Sequence, residues 1–348
     1  EREVQKELGG RSTFDYTKYT FRTYNKENWH HRLIADYLQL AVEKKIKRLM
    51  IFAPPRHMKS ESAERALSYA MGKNPDEKLM VIGHSFPKAG DISDHVKANV
   101  TSQTHMDVFP DFPGINGRNT ERKWELGNGY RGALLASGRS GGITGSGFNL
   151  ALIDDLVKDR EQAESAAFHE KNFDFYASTF LSRQDDEDAA IVIVNTRWNP
   201  KDISGRVVEV YGIKEYNGHA PEREVIENMH KVKIQCPEFN GDPEGEWTIL
   251  CIPAVMDEEF IQWKHPLDPR ESGEALWPEK YSIKYLQQFK KNKHFWNSEW
   301  QQRPRPKGGN VIDRSWFKLC KDFPRGGKLI RFWDLASTPK EEAKKNNP

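Results

Sequence analysis

Short apolar runs alternate along this chain with amphipathic or polar helical stretches, and that alternation constrains the fold more than any other feature. Five runs, "RLMIFA" (48–53), "KLMVIG" (78–83), "GALLAS" (132–137), "NLALID" (149–154) and "AIVIVN" (190–195), have the length and composition of strands buried on both faces. Before the first of them, "HRLIADYLQLAVEKK" sets Leu33, Ile34, Tyr37, Leu38 and Ala41 at helical spacing. The stretch "SESAERALSYAMGK" after Lys59 reads as a second helix that stops near Gly72 and Pro75. Strands and helices in this order predict an α/β domain with a largely parallel sheet.

A chain of 348 residues is long enough for two domains or one large one. Its 53 basic and 51 acidic residues leave a net charge of +2, so bulk charge does not mark a nucleic-acid partner. No long apolar run or signal peptide is visible, and no membrane association is expected. Cys236, Cys251 and Cys320 form no C-x-x-C pair, which fits a reducing compartment and inert thiols. From about Gly205 turn-rich segments separate isolated strands such as "WTILCIPA", the texture of a small lid or linker subdomain rather than of more central sheet. A basic, proline-rich joint, "QQRPRPKGG" (301–309), precedes a new strand, "KLIRFWDLA" (328–336), with only fourteen residues after Asp334. The expected division is a core over 1–205, a lid over 206–300, a linker over 301–327 and the opening strand of another domain over 328–348.

The first strand runs into "APPRHMKSE" (53–61), a polar loop followed by Lys59, Ser60 and a helix. That order suits a triphosphate: N–H groups at the helix N-terminus face the anion, Lys59 neutralises β/γ oxygens and Ser60 can ligate Mg²⁺. Ala53 and Met58 replace the two glycines of the usual G-x-x-x-x-G-K-[ST] pattern. Ala53 ends a strand and needs no unusual backbone angle; Met58 must fit a loop that usually prefers no side chain. Pro54 and Pro55 stiffen the loop, and Arg56 adds a cation near the phosphates. The competing reading is a chance Lys-Ser after a strand.

Asp154 and Asp155 end the run "LALIDD", at the tip of a strand expected beside the phosphate-loop strand. Asp154 is placed on the metal side and Asp155 as the group that orients and polarises the attacking water. Alternatively the pair is a polar turn. Arg139 opens the glycine-rich "GRSGGITGSG" and is either a finger reaching a neighbouring subunit's phosphates or an exposed loop arginine. Asn195, Thr196 and Arg197 end another strand, where polar groups near a γ-phosphate can transmit its presence as movement.

Taken in order, "NWHHRLIADYL", "APPRHMKSE", "GGITGSGFNLALIDDLVKDRE", "FLSRQ", "TRWNPKDISGR", "DPRESGEALWPE", "WQQRPRPKGG" and "RFWDLAST" resemble the large subunit of a tailed-phage terminase over residues 25–338. The resemblance implies a P-loop NTPase core of the additional-strand type, a lid subdomain and an RNase H-like nuclease domain that this sequence only begins. It maps Arg56, His57, Met58, Lys59, Ser60 and Glu61 to the phosphate loop, and Asp154 and Asp155 to the acidic motif. Thr196 and Arg197 map to the coupling motif, Arg139 to the trans-acting arginine, and Trp29 and His31 to the border of the adenine. Asp334 matches the first metal-binding carboxylate of the nuclease, whose remaining acids would follow residue 348.

The implied function is an ATP-hydrolysing motor that moves double-stranded viral DNA into a procapsid. Its implied cofactors are ATP and Mg²⁺, with Mg²⁺ or Mn²⁺ for a complete nuclease. Its implied partners are duplex DNA, the portal protein, the small terminase subunit and further copies of itself in a ring. The implied location is the host cytoplasm, transiently at the portal vertex and not in the mature virion. The alternatives are a helicase-like DNA-dependent ATPase and a nucleotide-binding scaffold in which Met58 has silenced hydrolysis.

Overall fold

Each of the five expected strands forms within a residue of its expected ends. The computed structural model describes residues 2–21, 27–217 and 246–305. The strands are β1 (Arg48–Phe52), β2 (Lys78–Gly83), β3 (Lys123–Glu125), β4 (Ala133–Gly138), β5 (Leu150–Asp154), β6 (Ala190–Asn195), β7 (Ile213–Tyr216) and β8 (Trp247–Cys251). They form one sheet in the order β3-β4-β2-β5-β6-β1-β8-β7. All neighbours run parallel except β3, which pairs antiparallel with β4 at the edge.

The helices are α1 (Arg2–Gly9), α2 (Thr13–Thr20), α3 (Trp29–Val42), α4 (Lys59–Lys73), α5 (Phe86–Val100), α6 (Gln103–Val108), α7 (Arg160–Glu164), α8 (Ala166–Asp174), α9 (Ile203–Tyr211) and α10 (Ile283–Lys290). Because side chains alternate across a strand, each central strand feeds two cores. Leu49, Ile51, Leu79, Val81, Leu150, Leu152, Val192 and Val194 pack with α3, α4 and α5 on one face. Met50, Phe52, Met80, Ile82, Ile153, Ile191 and Ile193 pack on the other, against Tyr176, Phe180, Val207 and Val208. This two-sided burial is why the runs read as continuously apolar rather than alternating.

Three sequence expectations need correction. The strand carrying Asp154 is not beside the phosphate-loop strand: β6 lies between β1 and β5. That inserted strand is the additional strand of the expected fold type. The central sheet also does not end at residue 205. β7 and β8 extend it beyond β1, and residue 206 lies inside α9, because the all-buried run "WTILC" satisfies its backbone by pairing with β1. Gln301 and Gln302, assigned to the linker, are buried in this unit. The Gln301 side chain accepts a hydrogen bond from the Val255 N–H at 3.0 Å and that of Gln302 accepts one from the Arg197 N–H at 3.1 Å. Asp334 and the expected strand 328–336 lie outside the described residues.

Two glycines set the approach of α5 to the sheet. A Cβ on Gly138 would lie 2.7 Å from the Phe86 nitrogen and 2.8 Å from the Ser85 carbonyl carbon. One on Gly83 would lie 3.1 Å from both the Lys88 Cγ and the Ala89 nitrogen. Gly83 and Gly138 are register partners at the ends of β2 and β4, so both leave room for the first turn of α5. Gly138→Ala is expected to push that turn off the sheet and cost about 1–3 kcal/mol, read as a lower midpoint in guanidinium unfolding.

Candidate functional site

Parallel strands end at the same side of a sheet, and here the ends coincide closely. Phe52 of β1 is in register with Asn195 of β6, Val194 of β6 with Asp154 of β5, and Asp154 with Gly83 of β2. Ligands of open α/β sheets bind beyond these carboxyl ends. A cavity of about 500 Å³ lies there, lined by the loop 55–61, Asp155, Thr196 and Lys88 among others.

The loop from β1 to α4 owes its shape to two left-handed residues, Arg56 (φ 63°) and Met58 (φ 67°). Met58 is the N-cap of α4, and its carbonyl accepts the Ser62 N–H at 2.9 Å. The position where a glycine is usual therefore does take the glycine-like angle, with Met in it. Lys59 opens the helix, 6% exposed, and its Nζ donates to the Thr196 Oγ1 at 2.7 Å. Ser60 follows, its hydroxyl donating to the Asp154 Oδ1 at 3.0 Å.

Asp154 is fully buried at the end of β5. Burial first, and then the charge of Asp155, pushes its carboxyl above the usual range, while the Lys88 and Lys59 ammonium groups act in the opposite direction. Asp155 turns off the strand with a positive φ of 42°, a region that Asp tolerates better than most residues. Its Oδ1 accepts the Thr196 N–H at 2.8 Å and its Oδ2 lies 3.9 Å from the Lys59 Nζ. Lys59, Thr196 and Asp155 thus form a closed triangle linking the phosphate loop, the end of β6 and the acidic turn. The position of β6 between β1 and β5 is what puts Thr196 at its centre.

The structure brings Arg56, His57, Met58, Lys59, Ser60, Glu61, Asp155 and Thr196 to one cavity, with Asp154 under Ser60. Four of the expected site residues do not line it, although Arg139 was expected at a neighbouring copy's site rather than at this one. Arg197 is 1% exposed and turned inward, its Nε donating to the Asp202 Oδ2 at 2.8 Å and its guanidinium over the Phe52 ring. A buried guanidinium is held by a carboxylate partner, which here lies five residues on in sequence. Arg139 leaves β4 and stacks over the Phe168 ring at 4.4 Å. Trp29 and His31 stand behind the loop. His31 is 2% exposed, with its ring 4.4 Å from that of Trp277, and the Arg270 guanidinium lies over Trp29.

That rear cluster explains the segment "GEALWPE", which carried no chemistry in sequence. His30, His31, His57 and Trp277 pack ring against ring beneath the phosphate loop. Lys280 reaches across the sequence to donate to the Arg56 carbonyl at 2.6 Å. His57 donates from Nδ1 to the Pro55 carbonyl at 2.8 Å, and His31 Nδ1 accepts the Asn28 N–H at 3.2 Å. Burial lowers His57 to about 3 and His31 to about 4, so both are neutral at pH 7.

Sequence reasoning missed Lys88. Its Nζ lies 3.0 Å from the Asp154 Oδ2. The only signal was a cation five residues beyond the end of β2, and nothing in the sequence put β2 next to β5. It also missed Glu299, which lines the cavity from the segment before Gln301.

The donor set fits Mg²⁺. Among the described residues no three His, Cys, Asp or Glu side chains gather into a protein-only metal cage. Ser60 Oγ and Asp154 Oδ1 instead place two hard oxygens side by side, the sparse protein share that Mg²⁺ accepts when phosphates and water supply the rest.

The fold is similar to that of the HK97 bacteriophage large terminase, with 10% identity, a TM-score of 0.47, and 83% of this chain and 53% of that one covered. It is also similar to the large terminase of a thermophilic bacteriophage in complex with ADP, with 8% identity, a TM-score of 0.37, and 76% and 51% covered. The chain spans about half the length of these two solved structures. No family model and no curated protein sequence matches it.

Two outcomes are expected at this site. Met58→Gly relieves about 1–2 kcal/mol of left-handed strain while the freer unfolded chain takes back about 0.4–1 kcal/mol. A net stabilisation of about 0.5–1 kcal/mol should appear in urea unfolding. The depressed histidines act on stability in acid. They stay neutral when folded but protonate near 6.5 when unfolded, so their contribution is complete above that pH and is lost as pH falls toward about 4 for His31 and about 3 for His57. The urea midpoint should fall between about pH 7 and pH 5, and less steeply in a His31→Gln variant.

Proposed function

We propose that this chain is the ATP-hydrolysing part of a large terminase, a motor that drives double-stranded viral DNA into a procapsid. The observation that carries the ATPase reading is the triangle of Lys59, Thr196 and Asp155 beside the Ser60–Asp154 pair, at the carboxyl ends of adjacent parallel strands. The packaging reading rests on the order of motifs from "NWHHRLIADYL" to "RFWDLAST".

In this reading the N-terminus of α4, Lys59 and the exposed Arg56 hold the β- and γ-phosphates of ATP. Ser60 and Asp154 would hold Mg²⁺, which when bound would neutralise phosphate charge. Asp155, fixed through one oxygen by the Thr196 N–H, orients the attacking water with the other and polarises it. Loss of the γ-phosphate frees Lys59 and alters its bond to Thr196, which moves the end of β6. Because the next residue, Arg197, is locked to Asp202 and Gln302, that movement reaches the start of α9 and the segment that follows residue 300. Arg139 acts on the phosphates of a neighbouring copy in the ring.

DNA is gripped by its phosphates, so affinity falls steeply with salt. The portal protein and the small terminase subunit are the further partners, in the host cytoplasm at the portal vertex. In the same reading Asp334 is a nuclease carboxylate that would hold Mg²⁺ or Mn²⁺ together with further acids. Retention of the left-handed loop by Met58 and of both carboxylates favours turnover over a silent scaffold.

Phosphate release from ATP, with and without duplex DNA, tests the assignment. Lys59→Ala should reduce the rate by about a hundredfold or more, since it removes a charge aimed at the transferring group. A near-normal rate in that variant overturns it.

A further inference from the structure

Lys88 is a cation placed against its own helix. It is the third residue of α5, after Phe86 and Pro87, where the partial positive charge of the helix N-terminus disfavours a lysine. What holds it there is Asp154. That carboxylate is wholly buried, with Oδ1 taken by the Ser60 hydroxyl and Oδ2 facing the Lys88 Nζ at 3.0 Å. Lys59, the other cation that acts on Asp154, donates to Thr196 and lies beside Asp155, so Lys88 is the closer counter-charge of Asp154. A buried carboxylate with no counter-charge is expensive, and Lys88 supplies the charge.

We propose that Lys88 is a positioning residue that neutralises Asp154 in the nucleotide-free protein and competes with the divalent ion for that carboxylate. The inference rests on the Mg²⁺–ATP reading of this site. The ammonium is suited to leave: its side chain is 32% exposed and it borders the same cavity as Lys59 and Ser60. Turned from Asp154, it faces that cavity, where phosphate oxygens are its natural partners. The absence of a Cβ on Gly83 leaves room for the lysine stem to lie against the strand end, within reach of Asp154. Lys88 thereby makes metal binding and phosphate binding depend on one another. Without the metal the cation stays on the acid, and with it the cation is released toward the phosphates.

The test is a Mg²⁺ titration of a fluorescent ATP analogue bound to the chain, together with the melting temperature of the nucleotide-free protein. Lys88→Met should move the Mg²⁺ midpoint about tenfold lower, because the competitor is gone, and should lower the melting temperature. Lys88→Arg, which keeps the charge, should hold both within error of the unaltered chain. Lys88→Gln carries the expectation of Lys88→Met, with a smaller shift, where the latter does not fold. A midpoint unchanged within about twofold in the uncharged variant, or one that rises, overturns the role of Lys88 and leaves the ATPase reading standing. Failure of the unaltered chain to bind the analogue at any Mg²⁺ concentration overturns both.

Discussion

The whole site depends on the register of four parallel strands. β2, β5, β6 and β1 end level with one another, so the residues immediately beyond them meet over one edge of the sheet. Their backbone bonds are satisfied within the sheet, which leaves the strand ends rigid and lets side chains of the following turns be placed to within a bond length. Thr196 illustrates the consequence. It touches Lys59 through its hydroxyl and Asp155 through its N–H, and neither contact exists unless β6 separates the other two strands.

The phosphate loop is preformed by what lies behind it as much as by its own residues. Arg56 and Met58 adopt angles unfavourable for side chains with a Cβ, and the surroundings hold them there. The ring cluster of His30, His31, His57 and Trp277 fills the space beneath, and Lys280 takes the Arg56 carbonyl. A segment 224 residues away in sequence therefore shares control of the loop. Each acid has its own nearest cation, Lys59 beside Asp155 and Lys88 beside Asp154.

Much of the local structure is legible in the chain because it depends on local periodicity. The apolar runs from Arg48 to Asn195 are strands since nothing else buries both faces of so short a segment, and Lys59–Lys73 is a helix since its small and apolar residues recur at helical spacing. Lys59, Ser60 and the Asp154–Asp155 pair are legible too, because each stands at the end of such a run. The partner of Arg197 was not legible, since a basic residue at a strand end looks the same whether it faces a phosphate or an aspartate five residues on. His31 misled for a similar reason, as an aromatic imidazole suits a base and a buried ring cluster equally.

By itself, then, the sequence determined which segments are strands, where they stop and which charged groups stand at their ends. Only the tertiary structure decided which strands are neighbours. Lateral order in a parallel sheet is set by how helices of each crossover pack on its faces, and no short pattern records that. From that order follow the place of β6 between β1 and β5, the addition of β8 and β7 beyond β1, and the meeting of Lys88 with Asp154.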